Sequence, residues 1–406
     1  MKICGGTTIA IGASGILLPK IKAMEAIGIT RGAAIAINDL LDNCAEIKPG
    51  DEVVLAAHVD GLYGGDNLVD PQAIAWIQAA IEARGANPSI LWIDEPAKIH
   101  AWRVPPVFMS ALKASNVFIN HSFDLTIEEL RTIQETATEY NVTLCRNFAT
   151  TPGLLNSPWV QTPYELVSEI RYQACVPFGS GGMPFQITDD RGTHIEGTVA
   201  PPSNVRFPTY TRRRNEGPGY RPFPEWVFPP INIKDTSGIV VFDRMLSWWS
   251  RYIGISPFFK DPIRLTIEKN RITKIEGRDE ADALRRFLKS MEMKIGDVVY
   301  NFPEIHSGVH PQAVVPPQQC NHPLIRRIID HSEACNIHVH IGAPLPRPEY
   351  PYWLHVTGDL RTATWRVGDH LIHDRGHLTA LDHPKVKAIA DKYPDRPGLK
   401  PWPRSF

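Results

Sequence analysis

The sequence predicts an α/β region with a parallel sheet and flanking helices at residues 1–178, followed by an α+β metal-binding region at residues 179–406. In the first half, short apolar runs alternate with amphipathic stretches, which is the pattern of a parallel sheet covered by helices. In the second half, strand-like runs follow one another with few helices between them. A length of 406 residues is enough for two or three domains of ordinary size.

The first region is expected to contain four strands and four helices. The strand candidates are rich in β-branched residues and lie at 52–58, 89–93, 116–121 and 142–146. Apolar residues recur at helical spacing over 71–84, 106–114 and 126–140, and a further helix is expected at about 162–176. Thr126 and Glu129 form a capping box at the start of the third helix.

The second region begins after a stretch rich in Gly and Pro at 177–183. Strands are expected at 184–188, 238–242, 263–268 and 271–276, and the last two form a hairpin across Lys269 and Asn270. One helix, at 279–291, interrupts them. The segment 198–230 has neither helical nor strand periodicity, so it predicts an ordered loop that lines a cleft.

Composition and charge exclude several classes of function. With 43 Lys+Arg against 44 Asp+Glu, the chain has no basic field for nucleic acid. It also contains no apolar run of the roughly 20 residues that a bilayer span needs. The six cysteines form no CxxC pair, and no clean signal-peptide cleavage site precedes Lys20. We therefore expect a cytoplasmic protein that binds a small-molecule substrate, with no nucleic acid or membrane as partner.

Histidines give the first functional signal, because most of the 15 lie beyond residue 300. Side chains that bind metals concentrate in four segments. They are Glu225, then Glu304, His306 and His310, then His338 and His340, and then His355, Asp359 and Arg361. Mixed carboxylate and imidazole ligands suit zinc, cobalt, manganese or iron(II), whereas calcium prefers oxygen ligands alone.

Each of these residues also has a plain structural interpretation, as a half-buried histidine or a solvated carboxylate. The functional interpretation depends on their convergence in one cleft. His338 and His340 lie on one face of a predicted strand, because alternate strand residues point the same way. There is no nucleophile motif of the GxSxG type, so catalysis is expected to proceed through a metal ion.

The sequence resembles the superfamily that joins the M29 metallo-aminopeptidases with the 2,5-dihydroxypyridine 5,6-dioxygenases, over about residues 35–380. The resemblance rests on four segments in the same order, at 225–243, 264–277, 304–311 and 355–361. It implies a homodimer. The aminopeptidase branch implies Glu225 and His338 as ligands of one metal, Glu304 between two metals, and His355 on the second metal.

Position 357 departs from the family pattern, because Thr357 stands where both branches place a metal-binding Asp. This puts a full second metal site in doubt unless Asp359 takes over that role. In the dioxygenase branch two His and one Asp hold iron, and here only His355 matches. A rearranged set of His338, His355 and Glu304 is the alternative. His121 is similar to that branch's catalytic histidine.

The main expectation is a metal-dependent hydrolase of an amide-type bond in a small substrate, with aminopeptidase-like chemistry between the two regions. Zinc, manganese or cobalt is held by Glu225, Glu304, His338 and His355 and activates a water molecule. His121 or His306 transfers protons, and Arg361 or the 212–214 arginines bind a carboxylate. Four aromatic residues indicate a cleft for a flat ring: Trp226, Phe228, Tyr352 and Trp353.

Two alternatives remain open at this point. One is a non-heme iron(II) ring-cleaving dioxygenase acting on a hydroxylated N-heterocycle. The other is a non-catalytic binding protein on the same scaffold, motivated by Thr357. Metal identity and oxygen consumption separate the three.

Overall fold

The computed structural model describes residues 14–58, 69–93, 104–121, 127–179, 181–201, 219–224, 227, 231–315, 323–343 and 354–400. The helices in this part of the chain are, in order, α1 (Ser14–Ala26), α2 (Arg31–Asn38), α3 (Pro71–Glu82), α4 (Pro106–Ala114), α5 (Ile127–Glu139), α6 (Pro152–Leu155), α7 (Pro158–Gln161), α8 (Tyr164–Cys175), α9 (Ser247–Ile253), α10 (Asp279–Ile295), α11 (Pro323–Ser332) and α12 (Pro384–Ala390). None of these helices combines the length and apolarity that a bilayer crossing requires.

The strands fall into two sheets. In chain order they are β1 (Glu52–His58), β2 (Asn87–Ile93), β3 (Val117–Asn120), β4 (Thr143–Asn147), β5 (Pro184–Thr188), β6 (His194–Val199), β7 (Tyr220–Phe223), β8 (Ile231–Arg244), β9 (Phe258–Glu268), β10 (Arg271–Glu276), β11 (Glu304–Ser307), β12 (Ile337–Ala343), β13 (Leu354–Leu360), β14 (Thr364–Val367), β15 (His370–Asp374) and β16 (His377–Leu378).

The first sheet is parallel throughout, with the order β2-β1-β3-β4-β7. Its first four strands and the helices between them confirm the α/β prediction for the N-terminal half. Pro71 begins α3, where the side chain of Asp70 accepts a hydrogen bond from the Gln72 amide and so caps the helix. The fifth strand, β7, comes from beyond residue 178, inside the segment expected to be an irregular loop.

The second sheet is antiparallel and runs β13-β12-β11-β8-β6-β5-β14-β15-β16, with β9 and β10 added beside β8. The predicted hairpin of β9 and β10 is confirmed, and both of its turn residues, Lys269 and Asn270, have positive φ. That conformation matches the twist of a two-residue hairpin. The Asn270 side chain then donates to the carbonyls of Ile233 and Phe302, which ties the turn to β8 and to the approach to β11.

The apolar core is continuous between the two halves, because one buried cluster runs from Ile21 in α1 to Val386 in α12. The long strand β8 supports both parts of the second sheet. Its first residues pair with β11, and the remainder pairs with β6 and β9. This pairing holds β11, β12 and β13 together at one end of the sheet.

Candidate metal centre

The three strands at that end of the second sheet present a row of polar side chains on one face. Successive strand residues point to opposite faces, and the register brings alternate residues of neighbouring strands together: His306 faces His338, and His340 faces Thr357. The other face is mainly apolar, with Ser307 as a polar exception. The polar face contains Glu304, His306, His338, His340, His355, Thr357 and Asp359, all of which are buried.

Glu304, His340 and His355 form one group of potential metal ligands, with their ligand atoms within 4.8 Å of one another. Oε1 of Glu304 lies 2.8 Å from Nε2 of His355. The imidazole rings of His340 and His355 have centroids 4.0 Å apart. Across from His355, β12 carries Gly342, so no side chain stands opposite this histidine on the neighbouring strand.

The atoms of this group fit the requirements of a transition-metal site. Two ligand atoms about 2.1 Å from one ion and about 90° apart lie about 3.0 Å from each other, close to the observed 2.8 Å between Glu304 and His355. Within the described residues, His340 Nε2 is buried and makes no hydrogen bond. A buried polar atom without a partner is costly in a purely structural role.

His340 is held in the neutral form that binds metals. Burial lowers the pKa of His340 well below its usual value, and the neighbouring His355, His306 and His338 lower it further. The Thr357 hydroxyl donates to the carbonyl of His355, so its oxygen faces Nδ1 of His340 as an acceptor at 3.4 Å. The proton of His340 is then on Nδ1, and Nε2 keeps the lone pair.

Asp359, the carboxylate of β13, has partners away from the Glu304 group. Oδ1 of Asp359 lies 3.1 Å from Nδ1 of His338, and its Oδ2 lies 3.4 Å from Nε of Arg244. Asp359 faces His338 across the strands, two register positions away from His340. Its carboxylate is therefore engaged away from the Glu304 group.

His338 was expected as a ligand, but the structure does not bring it into the group with Glu304. Its Nδ1 faces Asp359, and its Nε2 lies 3.0 Å from the backbone carbonyl of His331. Both ring nitrogens of His338 therefore lie within hydrogen-bond distance of oxygen atoms outside the Glu304 group. His340, two residues further along the same strand, stands with Glu304 and His355 instead.

His306, which was expected to transfer protons, belongs to a second buried group, with His331 and His340. Nε2 of His306 lies 2.9 Å from Nε2 of His331. The ring centroids of His306 and His340 are 4.5 Å apart. His331 is contributed by the last turn of α11, and burial lowers its pKa well below the usual value, with a further contribution from nearby histidines.

Arg361 lies at the far end of β13 from His355. Six residues separate the two, which is about 20 Å along a strand. The Arg361 guanidinium pairs with Glu333 and donates to Sγ of Cys335, and it lines a surface cleft there. The structure therefore separates the expected carboxylate-binding arginine from the Glu304 group.

A buried charge network links Glu333, the partner of Arg361, to Asp359, the partner of His338. It consists of Arg244, Asp330, Glu333 and Asp359. Burial raises the pKa of Asp330 to about 7, although the charge of Arg244 opposes the shift. Because Asp359 joins this network to His338, it fixes the orientation of the polar face, in the way that outer carboxylates orient the histidines of metal sites.

His121, the remaining catalytic candidate, follows β3 at the carboxyl edge of the parallel sheet, where open α/β sheets bind ligands. It is fully buried, and Nε2 lies 2.9 Å from Nδ2 of Asn147 at the end of β4. Burial lowers its pKa to about 4, so it is neutral at physiological pH. Asn147 pairs with Phe223 of β7, and the chain then reaches Val227, which bridges Gly308 just after β11.

Several predicted residues lie outside the described residues. These are the ligand candidate Glu225, the 212–214 arginines and the aromatic residues Trp226, Phe228, Tyr352 and Trp353. The sequence predicts neither His331 as a site residue nor His340 over His338. For His340 the only available signal was its position on the same strand face as His338. For His331, no short-range pattern links a helix end to strands beside it.

Comparison with known proteins identifies the fold. A solved structure of a 2,5-dihydroxypyridine dioxygenase from Pseudomonas putida superposes with a TM-score of 0.63 at 15% sequence identity, covering 86% of this chain and 97% of that one. No family model matches the sequence, and no curated protein matches it. The chain thus shares its fold with that dioxygenase, while a likeness to the metallo-aminopeptidases is not shown.

Proposed function

We propose that the chain is a non-heme metal-dependent dioxygenase that cleaves a hydroxylated aromatic ring, with a hydroxylated N-heterocycle as the substrate class. The observation that carries this proposal is the ligand group of Glu304, His340 and His355. Two imidazoles and one carboxylate are the ligand set of non-heme iron(II) oxygenases, in which the remaining positions stay open for substrate and oxygen. The shared fold supports the same choice, since the structural neighbour is a dioxygenase.

The side chains around this group have defined tasks under the proposal. Glu304 supplies the one negative charge among the three ligands, which partly offsets the charge of a divalent ion in a buried site. Thr357 holds the tautomer of His340 through its hydroxyl oxygen. On the parallel sheet, His121 is neutral above about pH 4 and its Nε2 accepts from Asn147, so its task under the proposal is that of a hydrogen-bonding group rather than an acid.

The proposal is tested with protein purified without oxygen and loaded with iron(II). We expect oxygen uptake when 2,5-dihydroxypyridine or a related dihydroxylated heterocycle is added, and no turnover of amide substrates. Glu304→Gln keeps the size of the side chain but removes its charge, so it should weaken iron(II) binding by at least about tenfold and abolish oxygen uptake. Glu169→Gln is the matched control, because Glu169 is a buried carboxylate in α8 that bonds Gln173.

Two other results would replace the proposal with a different function. Oxygen-independent cleavage of an amide by the zinc, manganese or cobalt form would favour the aminopeptidase-like hydrolase. Absence of metal binding, together with ligand binding that is unchanged in Glu304→Gln and His355→Gln, would favour a non-catalytic binding protein on this scaffold.

A further inference from the structure

The second group of buried histidines is not used by the proposed dioxygenase site, apart from one shared residue. His306, His331 and His340 have ligand atoms within 4.8 Å of one another. The two Nε2 atoms of His306 and His331 lie 2.9 Å apart as a hydrogen-bonded pair, and this separation is also close to the roughly 3.0 Å between neighbouring ligands of one ion. All three side chains are almost completely buried.

A hydrogen bond to the backbone carbonyl of His331 fixes the position of this residue. His338 donates from Nε2 to the carbonyl of His331, and Asp359 holds the other side of the His338 ring. The rings of His331 and His338 also meet edge to face, with centroids 4.1 Å apart. A carboxylate–histidine pair therefore sets the end of α11 against the strands, as outer groups do around metal ligands.

We propose that His306, His331 and His340 form an inner metal position, alternative to the outer position of Glu304, His340 and His355. The two positions differ in ligand chemistry, because the inner one offers three nitrogens and the outer one offers two nitrogens and a carboxylate. Imidazole suits zinc and copper, whereas carboxylate ligands favour manganese. The inner position is thus a site for a nitrogen-preferring ion.

One ion at a time occupies the pair of positions. His340 belongs to both groups, and its Nδ1 faces the Thr357 oxygen, which leaves Nε2 as its single lone pair. Because one lone pair binds one ion, filling the inner position withdraws His340 from the outer one. Zinc bound by the inner histidines would then inhibit the outer site without competing for Glu304.

The test measures affinities for manganese and zinc separately, by competition with a chromophoric chelator. Glu304→Gln should weaken manganese binding at least tenfold and zinc binding less than threefold. His331→Gln should show the opposite pattern, and the double variant should lose both. X-ray absorption of the zinc-loaded wild type should show the scattering of three imidazole rings, against two for an ion bound at the outer position. His373→Gln is the control, since His373 is a fully buried histidine that bonds Ser307.

Three results would overturn the inner position: equal weakening of both metals by Glu304→Gln, zinc affinity that His331→Gln leaves unchanged, or two ions per chain in the wild type. If His331→Gln fails to fold, as judged by near-UV circular dichroism, His306→Gln and the X-ray absorption spectrum decide the question. Failure of the proposed function is distinguishable, because zinc binding that depends on His331 without oxygen uptake by the iron(II) form refutes the dioxygenase alone, whereas oxygen uptake without zinc binding refutes the inner position alone.

Discussion

Replacing His373 by Gln should make the protein less sensitive to acid. His373 lies on β15 with no exposed surface, and its Nε2 is 2.8 Å from Oγ of Ser307. That hydroxyl donates to the carbonyl of Gly308, so His373 is the donor in the pair. Its Nδ1 is buried and has no hydrogen-bond partner among the described residues, so a second proton would have no acceptor.

The size of the effect follows from the pKa. Burial lowers the pKa of His373 to about 3 from 6.5, with smaller contributions from His377 and His338. A folded-state pKa below the unfolded value gives stability that is present above pH 6.5 and is lost as the pH falls below it, because only the unfolded chain takes up the proton. At pH 5 the loss amounts to about 2 kcal/mol for this one side chain.

The assay is urea unfolding of the chelator-treated protein at pH 7 and pH 5, followed by tryptophan fluorescence. Trp365 stacks on His373 with ring centroids 6.3 Å apart, so it reports on this region. His373→Gln should lose about 2 kcal/mol less than the wild type between the two pH values. His370→Gln, on the exposed end of the same strand, should behave as the wild type. Equal losses in His373→Gln and the wild type would refute the argument.

Two substitutions in the polar strands test the architecture of the site. Gly342→Ala should lower the free energy of unfolding by about 1–3 kcal/mol, because Gly342 has φ +111° and an added Cβ would meet the Leu354 carbonyl oxygen at 2.7 Å. Urea unfolding measures this loss. Gly296→Ala is the control, because Gly296 has φ +76° and open space around it, so its loss contains only the cost of the backbone conformation. Thr357→Asp should raise manganese affinity at least tenfold by adding a carboxylate opposite His340. Thr357→Asn, which adds no charge, should leave the affinity unchanged. Equal manganese affinities of the two variants would contradict the assigned direction of this side chain.

The sequence was sufficient for most of the local structure. Runs of β-branched residues located β1 to β4, and the hairpin of β9 and β10 was confirmed together with its Lys269 and Asn270 turn. The helix α10 extends four residues beyond the predicted end at 291 and stops at Gly296, whose positive φ ends the helix. The strand β7 was missed because four residues carry too little periodicity, and its pairing with β4 is decided by distant contacts.

The sequence predicted which residue types form the candidate site, but not which individual residues belong to it. Strand alternation placed His338 and His340 on one face, and both lie there. Choosing between them required the register with β11 and β13, which sets His338 against Asp359 and His340 against Thr357. His331 required knowledge of where α11 ends, and Arg361 was separated from His355 by the length of β13. These are long-range relations that a local pattern does not contain.

In β11, β12 and β13 the residues of one face pack in the core, and the residues of the other face carry the metal-ligand candidates. Val339, Ile341 and Val356 point into the hydrophobic core, while the intervening residues carry the ligands. A substitution at an alternate position changes the donor set and leaves the apolar packing face intact. Thr357→Asp would be one such exchange. Single replacements on this face can therefore alter the ligands that the strands offer to a metal ion without disturbing the hydrophobic contacts of the opposite face.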